Sequence, residues 1–276
     1  MYVAILEALV AKAAANYQID LAPPNIATDF ELASINAFKE VFPAIIVTGC
    51  HFHLGQSVLR KVNEMGLKTR YRSDPEYSLH ARMLYGLAYL PVDDVVAGLE
   101  AIRSSMPAAG QPLVEYFDRT YVNGPLLRRT AANTLIHRPP VFPPTLWNVA
   151  DRFDSQLPTT TNYVEAWHRQ LQALIVVDHP SFYSCLHQLK QEQQHTQVAV
   201  MRNDNGYRVK PKRRSMTEHV RRLTTLRNDL HCARKDIRAF LRGVAHSFGR
   251  HTWMKAEGTE EGEGLDNVDG GGRRNH

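Results

Sequence analysis

The chain has 276 residues, of which 43% are hydrophobic and 22% are charged. This composition supports a folded core and excludes a chain that is disordered throughout. Its three cysteines are too few and too scattered for a disulfide framework, and they indicate a reducing compartment. No apolar run approaches the length of about 18 residues that a membrane span needs, so we expect no membrane partner.

The N-terminal apolar stretch has the pattern of an amphipathic helix rather than of a signal peptide. It has no basic start, and Glu7 and Lys12 interrupt its apolar run. We therefore predict a helix over 2–17. Its apolar face is formed by residues three or four positions apart, Val3, Leu6, Val10 and Ala13.

The net charge of +5 is concentrated in one C-terminal segment. Residues 208–250 contain 13 Lys and Arg against three acidic residues, whereas residues 1–207 contain 17 against 19. A basic block of this kind favours a polyanionic partner or a nuclear-import sequence. The alternative is a basic helix face whose charges contact only solvent.

The sequence pattern of the N-terminal region predicts alternating helices and short strands. Two prolines in the connector 21–25 end the first helix, and NIAT at 25–28 follows as a strand. A helix over 30–41 precedes a β-branched run at 44–48, which predicts a second, buried strand. A third helix over 53–66 ends at a glycine. Such alternation is typical of a parallel sheet with helices on its faces, although two strands alone make no stable sheet.

The middle of the chain is predicted to be mainly helical. Helical spacing dominates residues 76–155, except for the proline-rich stretch 137–147, which predicts an irregular loop. Two more helices are predicted over 159–177 and 179–202.

One basic amphipathic helix is predicted over 215–250. Ser215 and Glu218 have the spacing of a capping box at its start, and apolar residues then recur every three or four positions. A basic linker at 203–214 precedes this helix, and a Gly- and acid-rich tail at 255–276, predicted to be disordered, ends the chain. The apolar stripe indicates either a partner helix or packing on the chain's own core.

Asp29 stands where the first strand ends and the next helix begins, and two interpretations stay open. An acidic residue at the carboxyl end of a strand is held rigidly at the sheet edge, which suits a ligand of a divalent metal. The alternative is helix capping, either by Asp29 itself or by Thr28 with Glu31 in a capping box. Capping is the commoner role of an isolated Asp in this position.

Glu165 opens the predicted helix that follows TTTN, and it has two similar interpretations. Asn162 and Glu165 have capping-box spacing. His168 lies three residues later on the same helix face, and Glu-x-x-His is a metal-binding spacing on helices. A single copy of that spacing does not decide between the two.

Cys50 and His53 are candidate zinc ligands in the stretch GCHFHLGQS. Cys-x-x-His supplies half of a tetrahedral zinc set, and no second pair with clear spacing completes it. The alternative is that Cys50 is a small buried side chain of the core. The chain shows no glycine-rich phosphate loop, no nucleophile elbow and no HExxH motif, and we expect no small-molecule substrate.

The order and spacing of these motifs resemble the transposase domain of Mutator-like elements (MULE). That family shows an Asp-Phe-Glu-x-Ala stretch, then Asn-Ala, Phe-Pro and Gly-Cys-x-x-His. The matching residues here are Asp29 to Ala33, Asn36 and Ala37, Phe42 and Pro43, and Gly49 to His53. Further on, TNYVEAWHRQL is similar to the family's Thr-Asn-x-x-Glu-x-x-[His/Asn] segment, and the resemblance extends over residues 1–200.

The resemblance implies an α/β fold that is a partial RNase H-like fold, with two short parallel strands and flanking helices. Asp29 and Glu165 match the second and third members of the family's Asp-Asp-Glu site, which implies catalytic residues that bind Mg²⁺ or Mn²⁺. Such carboxylates hold two metal ions that activate the attacking oxygen and stabilise the leaving oxygen at a DNA phosphodiester. Cys50 and His53 match the family's Cys-x-x-His motif.

The resemblance also implies a division of the chain into parts. A transposase domain over 1–202 contains a helical insertion over 54–158. The linker 203–214, the basic helix 215–250 and the tail 255–276 follow this domain.

One member of the family's site has no match in the sequence. The family's first Asp precedes the helix with which this chain starts, and Asp20, the only acidic residue between Glu7 and Asp29, follows that helix. Two carboxylates do not complete the site, so we expect an N-terminally truncated domain without transposase activity. We also expect the short sheet to leave an apolar face and a strand edge exposed.

Two functions follow from these observations. The first is a fragment of a Mutator-like DNA transposase with an incomplete catalytic site. The second is a non-catalytic, transposase-derived protein that binds DNA through its basic C-terminal segment. Both predict DNA as the partner and the nucleus as the location, and both are compatible with a homo-oligomer. The candidate DNA-binding residues are Lys210, Lys212, Arg213, Arg214, Arg221 and Arg222.

Overall fold

The structure of the protein is a computed structural model. It describes residues 1–129, 135–155, 159, 166–167, 171–173, 175, 180–206 and 214–248, the first three of the last range by their backbone alone. The predicted helix over 159–177 falls largely outside the described residues, and the predicted tail over 255–276 falls wholly outside them.

The N-terminal part alternates helices and strands, as the sequence predicts. Its elements are α1 (Tyr2–Tyr17), β1 (Asn25–Thr28), α2 (Leu32–Val41), β2 (Ile46–Gly49) and α3 (His51–Glu64). β1 and β2 pair in parallel, with Thr28 opposite Gly49. The residues that follow the two strands therefore lie at the same edge of the sheet. α3 begins two residues earlier than predicted, because Cys50 is its N-cap.

α1 packs against α2 through the face predicted from its spacing. The four residues of that face are partly buried, whereas Ile5 and Leu9 on the other side are 56% and 53% exposed. In β2, Ile46 is 60% exposed. Within the described residues this sheet has two strands, so each of them has one unpaired edge. The unpaired strand edge expected from the sequence is therefore present among these residues, but Ile46 is the one exposed residue of β2, whose other three residues are buried.

The middle of the chain is helical and includes one hairpin. Its helices are α4 (Lys68–Ser73), α5 (Pro75–Gly86), α6 (Val95–Ser105), α7 (Gln111–Phe117), α8 (Pro144–Trp147) and α9 (Ala150–Asp154). The hairpin consists of the antiparallel strands β3 (Leu126–Arg129) and β4 (Leu135–His137). Sequence reasoning missed it because β3 is exposed along its whole length, so that no alternation of buried and exposed residues marks it.

The C-terminal segment forms two helices where the sequence predicted one. α10 (Phe182–Asp204) matches the helix predicted over 179–202, but α11 (Arg214–His231) and α12 (Ile237–Ser247) replace the single helix over 215–250.

The break between α11 and α12 has a local cause. Ala233 takes a left-handed conformation with φ of 53°, and the N–H groups of Arg234 and Lys235 both donate to the carbonyl oxygen of Asp229. Asp236 then caps α12, with its Oδ1 2.6 Å from the backbone nitrogen of Ala239. These bonds pair one carbonyl group at the end of α11 and one N–H group at the start of α12, and the chain reverses between the two helices.

The apolar stripe of this segment packs on the chain's own core. Leu223 of α11 and Phe240, Leu241 and Val244 of α12 are buried in the main hydrophobic cluster. The interpretation as a surface for a partner helix is therefore wrong for these residues. Glu218, the second member of the predicted capping box, accepts hydrogen bonds from two arginines of α11, and the side chain of Ser215 lies outside the described residues.

α5 lies at the centre of the main cluster. Asp74 caps it by accepting bonds from the N–H groups of Glu76 and Tyr77, and every residue from Tyr77 to Gly86 is buried. α3, α4, α6 and α12 pack around it. A smaller cluster of Ile35, Val47 and Leu146 joins the sheet to α2 and α8. The fold is therefore α/β and mostly helical, with two short parallel strands flanked by helices.

Candidate functional site

The carboxyl edge of the β1–β2 sheet brings two predicted site regions together. Asp29 follows β1 directly, and Cys50 follows β2 directly as the N-cap of α3. The N–H of Cys50 donates to the carbonyl oxygen of Thr28 at 2.8 Å, which continues the ladder past the last strand pair. Parallel pairing thus places the acidic residue beside the first turn of α3.

Asp29 and His53 are in contact at this edge. His53 Nδ1 lies 2.9 Å from Asp29 Oδ1, and the two side chains are 23% and 61% exposed. Asp29 is not the cap of α2, because the N-cap is Glu31 and no side chain bonds to the first N–H groups of that helix. Thr28 Oγ1 donates to the carbonyl oxygen of Asp29. Both capping interpretations are therefore wrong. The Asp29 carboxylate contacts His53 of α3 on one side and is exposed to solvent on the other.

Cys50 and His51 are buried beside this contact. Cys50 is fully buried, as expected if its thiol is a small side chain of the core. His51 is 1% exposed, and its Nε2 lies 3.1 Å from the carbonyl oxygen of Tyr85. Burial lowers the pKa of His51 to about 4, against a smaller raising effect of the Tyr85 carbonyl. The ring is therefore neutral at neutral pH and acts as part of the core.

The segment that leads to Glu165 returns to the same edge. The backbone N–H of His51 donates to the carbonyl oxygen of Thr159 at 3.1 Å, and the Tyr89 hydroxyl bonds to the Thr159 side chain. Thr159 stands six residues before Glu165 in the sequence. Glu165 itself lies outside the described residues.

The described residues at this edge do not by themselves fit a metal centre. In the part of the chain that the structure describes, no three His, Cys, Asp or Glu side chains lie close enough together to hold an ion. A structural zinc site takes four ligands, and a two-Mg²⁺ site takes several carboxylates. Asp29 supplies one carboxylate here, and His53 contacts one of its oxygens.

The predicted basic surface is described in part. Arg221 and Arg222 of α11 have side chains that are 70% and 62% exposed, and they lie 2.8 and 3.2 Å from Glu218 Oε1. Hydrogen bonds from Arg221 and then Arg222 lower the pKa of Glu218 to about 2. Two guanidinium groups share one carboxylate, so this face keeps a positive charge. Among the predicted DNA-binding residues, the other four have side chains that the structure does not describe, namely Lys210, Lys212, Arg213 and Arg214.

Other basic side chains of the segment hold it to the body of the protein. Arg227 of α11 is 16% exposed and bonds through two nitrogens to the carboxylate of Asp154 and through the third to the carbonyl oxygen of Tyr89. Arg242 of α12 lies 3.5 Å from Glu76 of α5. The basic segment is therefore an integrated part of the fold where it is described.

A cavity of about 380 Å³ lies between α11 and α12. Its lining includes Arg221 and Arg222, which the sequence had indicated, and Lys235 and His246, which it had not. The last two were missed because they meet α11 only after the chain reverses between the helices. Arg82 of α5 was missed too, although an arginine inside the apolar run of that helix is a signal of a buried charge.

No family model, curated protein or solved structure matches the chain. In the described part of the chain, each helix is too short or too polar to span a membrane.

Proposed function

We propose that the protein is derived from a Mutator-like transposase and binds DNA through α11 and α12. The observation that supports this most is the surplus of exposed positive charge on α11, where Arg221 and Arg222 share the single carboxylate of Glu218. DNA is a polyanion, and basic side chains that neutralise its phosphates release condensed counterions. The gain in affinity from that release requires no base-specific contact.

The way in which the helices are held favours the same function. Arg227 and Arg242 attach them to α9 and α5, and Leu241 and Val244 bury the other face of α12. A basic face on a fixed helix pair loses less conformational entropy on binding than a disordered basic tail does. Binding of DNA would also agree with the nuclear location expected from the sequence.

Transposase ancestry is supported by the arrangement of the motif residues. We infer a partial RNase H-like fold from the parallel β1–β2 pair, with Asp29 at its carboxyl edge and Cys50 and His53 opening α3. The return of Thr159 to His51 brings the chain back to this edge shortly before Glu165. In this proposal, Asp29 and Glu165 correspond to two of the family's three carboxylates.

DNA binding is tested with the full chain by fluorescence anisotropy on a labelled double-stranded oligonucleotide. We expect an affinity that falls steeply as the salt concentration rises and that does not change when EDTA removes Mg²⁺. The double variant Arg221→Met, Arg222→Met should bind more weakly. Arg128→Met, which removes an exposed positive charge from β3, serves as the matched control and should bind like the wild type. Absence of salt-dependent binding by the wild type would overturn the proposal.

A second candidate function is Mg²⁺-dependent cleavage of DNA. The observation in its favour is the exposed carboxylate of Asp29 at the edge to which Thr159 returns. We expect no cleavage, because Asp29 and Glu165 together fall short of the three carboxylates of the family's site. Nicking of a supercoiled plasmid that requires Mg²⁺ and is lost in Asp29→Asn and in Glu165→Gln would replace the binding-only proposal with a catalytic one.

A further inference from the structure

The cavity between α11 and α12 carries more positive than negative charge. Its lining includes the positively charged side chains Arg221, Arg222 and Lys235, the imidazole of His246 and one acidic side chain, Asp229. The carboxylate of Asp229 is already engaged, since Arg234 Nε lies 2.8 Å from its Oδ1. Lys235 forms no ion pair with any carboxylate among the described residues. Positive charge on the cavity wall is therefore only partly compensated.

A buried arginine acts on one residue of this wall, His246. Arg82 of α5 is 4% exposed, and its Nε has no hydrogen-bond partner in the described part of the chain. No carboxylate in those same ranges forms an ion pair with it. Partial burial is the main cause that lowers the pKa of His246. The positive charge of Arg82 is the second cause, and that of Arg242 is the third.

Carboxylates around the cavity are outnumbered by basic side chains. Arg221 and Arg222 share Glu218, and Arg242 shares Glu76 with His80. Among the described side chains that line the cavity, pair with its lining or act on the pKa of His246, six are basic, histidines not counted, and three are carboxylates. The basic members are Arg82, Arg221, Arg222, Arg234, Lys235 and Arg242, and the acidic members are Glu76, Glu218 and Asp229.

An anion bound in this cavity would reduce two unfavourable contributions to the free energy of folding. A buried charge without a hydrogen-bonded partner is costly, and like charges close together repel each other. Phosphate offers several acceptor oxygens with the spacing of a guanidinium fork, and its charge-assisted hydrogen bonds are stronger than neutral ones. The cavity is large enough to hold such a group together with water.

We propose that the cavity between α11 and α12 binds a phosphate group. Arg222, Lys235 and His246 contact the group from the cavity wall, and the buried charge of Arg82, which acts on His246, adds to the attraction. The inference rests on the proposed function in one respect, namely that the DNA backbone is the source of the phosphate. A free phosphate ion has the same chemistry, and the two sources are separated by experiment.

The first measurement is the thermal unfolding of the full chain in sodium phosphate and in sodium chloride of equal ionic strength. We expect phosphate to raise the Tm of the wild type by about 2 °C or more. Phosphate also stabilises folded proteins in general, so Lys235→Met and Arg82→Met should each reduce this increase without removing it completely. Arg128→Met, on β3, should keep the full increase.

Arg82→Met also tests the cost of the buried charge. Methionine fills much of the same volume without charge, so the Tm of this variant in chloride should equal or exceed that of the wild type. A Tm well below the wild type in chloride would show that Arg82 is compensated within the fold and would overturn its assignment to the site. Lys235 is only partly buried, so Lys235→Met still tests the cavity in that case.

The second measurement is the salt dependence of DNA binding by the same variants. If the cavity holds a backbone phosphate, Lys235→Met should reduce the slope of log K against log salt by about 1. A Tm increase in phosphate that depends on Lys235, without any DNA binding, would support the site and overturn the proposed function. DNA binding with unchanged slopes and no phosphate protection would overturn the site and leave the proposed function standing.

Discussion

Acidification is predicted to destabilise the protein through His51. The ring is 1% exposed and lies against Tyr85, Tyr89 and Phe248, and burial lowers its pKa to about 4. In the unfolded chain the pKa of histidine is about 6.5. As the pH falls below that value, the unfolded state takes up a proton on His51 and the folded state does not. The stability present above about pH 6.5 is therefore lost progressively as the pH falls towards about 4.

The size of this effect follows from the two pKa values. A difference of about 2.5 between the states corresponds to about 3 kcal/mol when the loss is complete. Linkage gives a loss of about 2 kcal/mol between about pH 7 and pH 5. Domains are stable by only about 5–15 kcal/mol, so one histidine accounts for a measurable part of the acid sensitivity.

Urea unfolding at a series of pH values measures the effect. His51→Gln keeps an N–H donor for the carbonyl oxygen of Tyr85 but does not titrate. Its free energy of unfolding should change by about 2 kcal/mol less than that of the wild type between about pH 7 and pH 5. His195→Gln, a change at an exposed histidine, should leave the wild-type pH dependence unaltered. Equal pH dependence in wild type and His51→Gln would refute the reasoning.

Three stability predictions complete the set, each measured by urea unfolding. Asp236→Ala removes the cap of α12 and should cost about 1 kcal/mol, whereas Asp236→Asn should cost much less. Leu54→Ala leaves a cavity at a fully buried position and should cost about 2–5 kcal/mol, against about 0.5 kcal/mol for Leu126→Ala at a 53% exposed position. Gly66→Ala meets no neighbouring atom and should cost about 1 kcal/mol for its φ of 70° alone. Gly124→Ala should cost more, because a Cβ at φ of 83° would lie 1.9 Å from the carbonyl oxygen of Arg138, and similar values for the two glycines would contradict this account.

Local patterns in the sequence determined the elements around the sheet edge. The prolines at 23 and 24 marked the connector after α1, and β-branched residues marked β2. The spacing of Val3, Leu6, Val10 and Ala13 indicated the partly buried face of α1. These predictions succeeded because each depends on neighbours within one or two turns of the chain. The same holds for the position of Asp29 and Cys50 after consecutive strands.

The tertiary structure alone decided what the side chains at these positions contact. Capping of α2 was the commoner role for Asp29, but parallel pairing of β1 with β2 placed it against His53 of α3, the helix that follows β2. Periodicity across 215–248 predicted one helix, because both halves bury their apolar residues in the same core and the pattern continues through the turn at Ala233. That reversal creates the basic cavity between α11 and α12. Contacts between residues distant in sequence depend on where the elements pack, and local spacing carries no information about them.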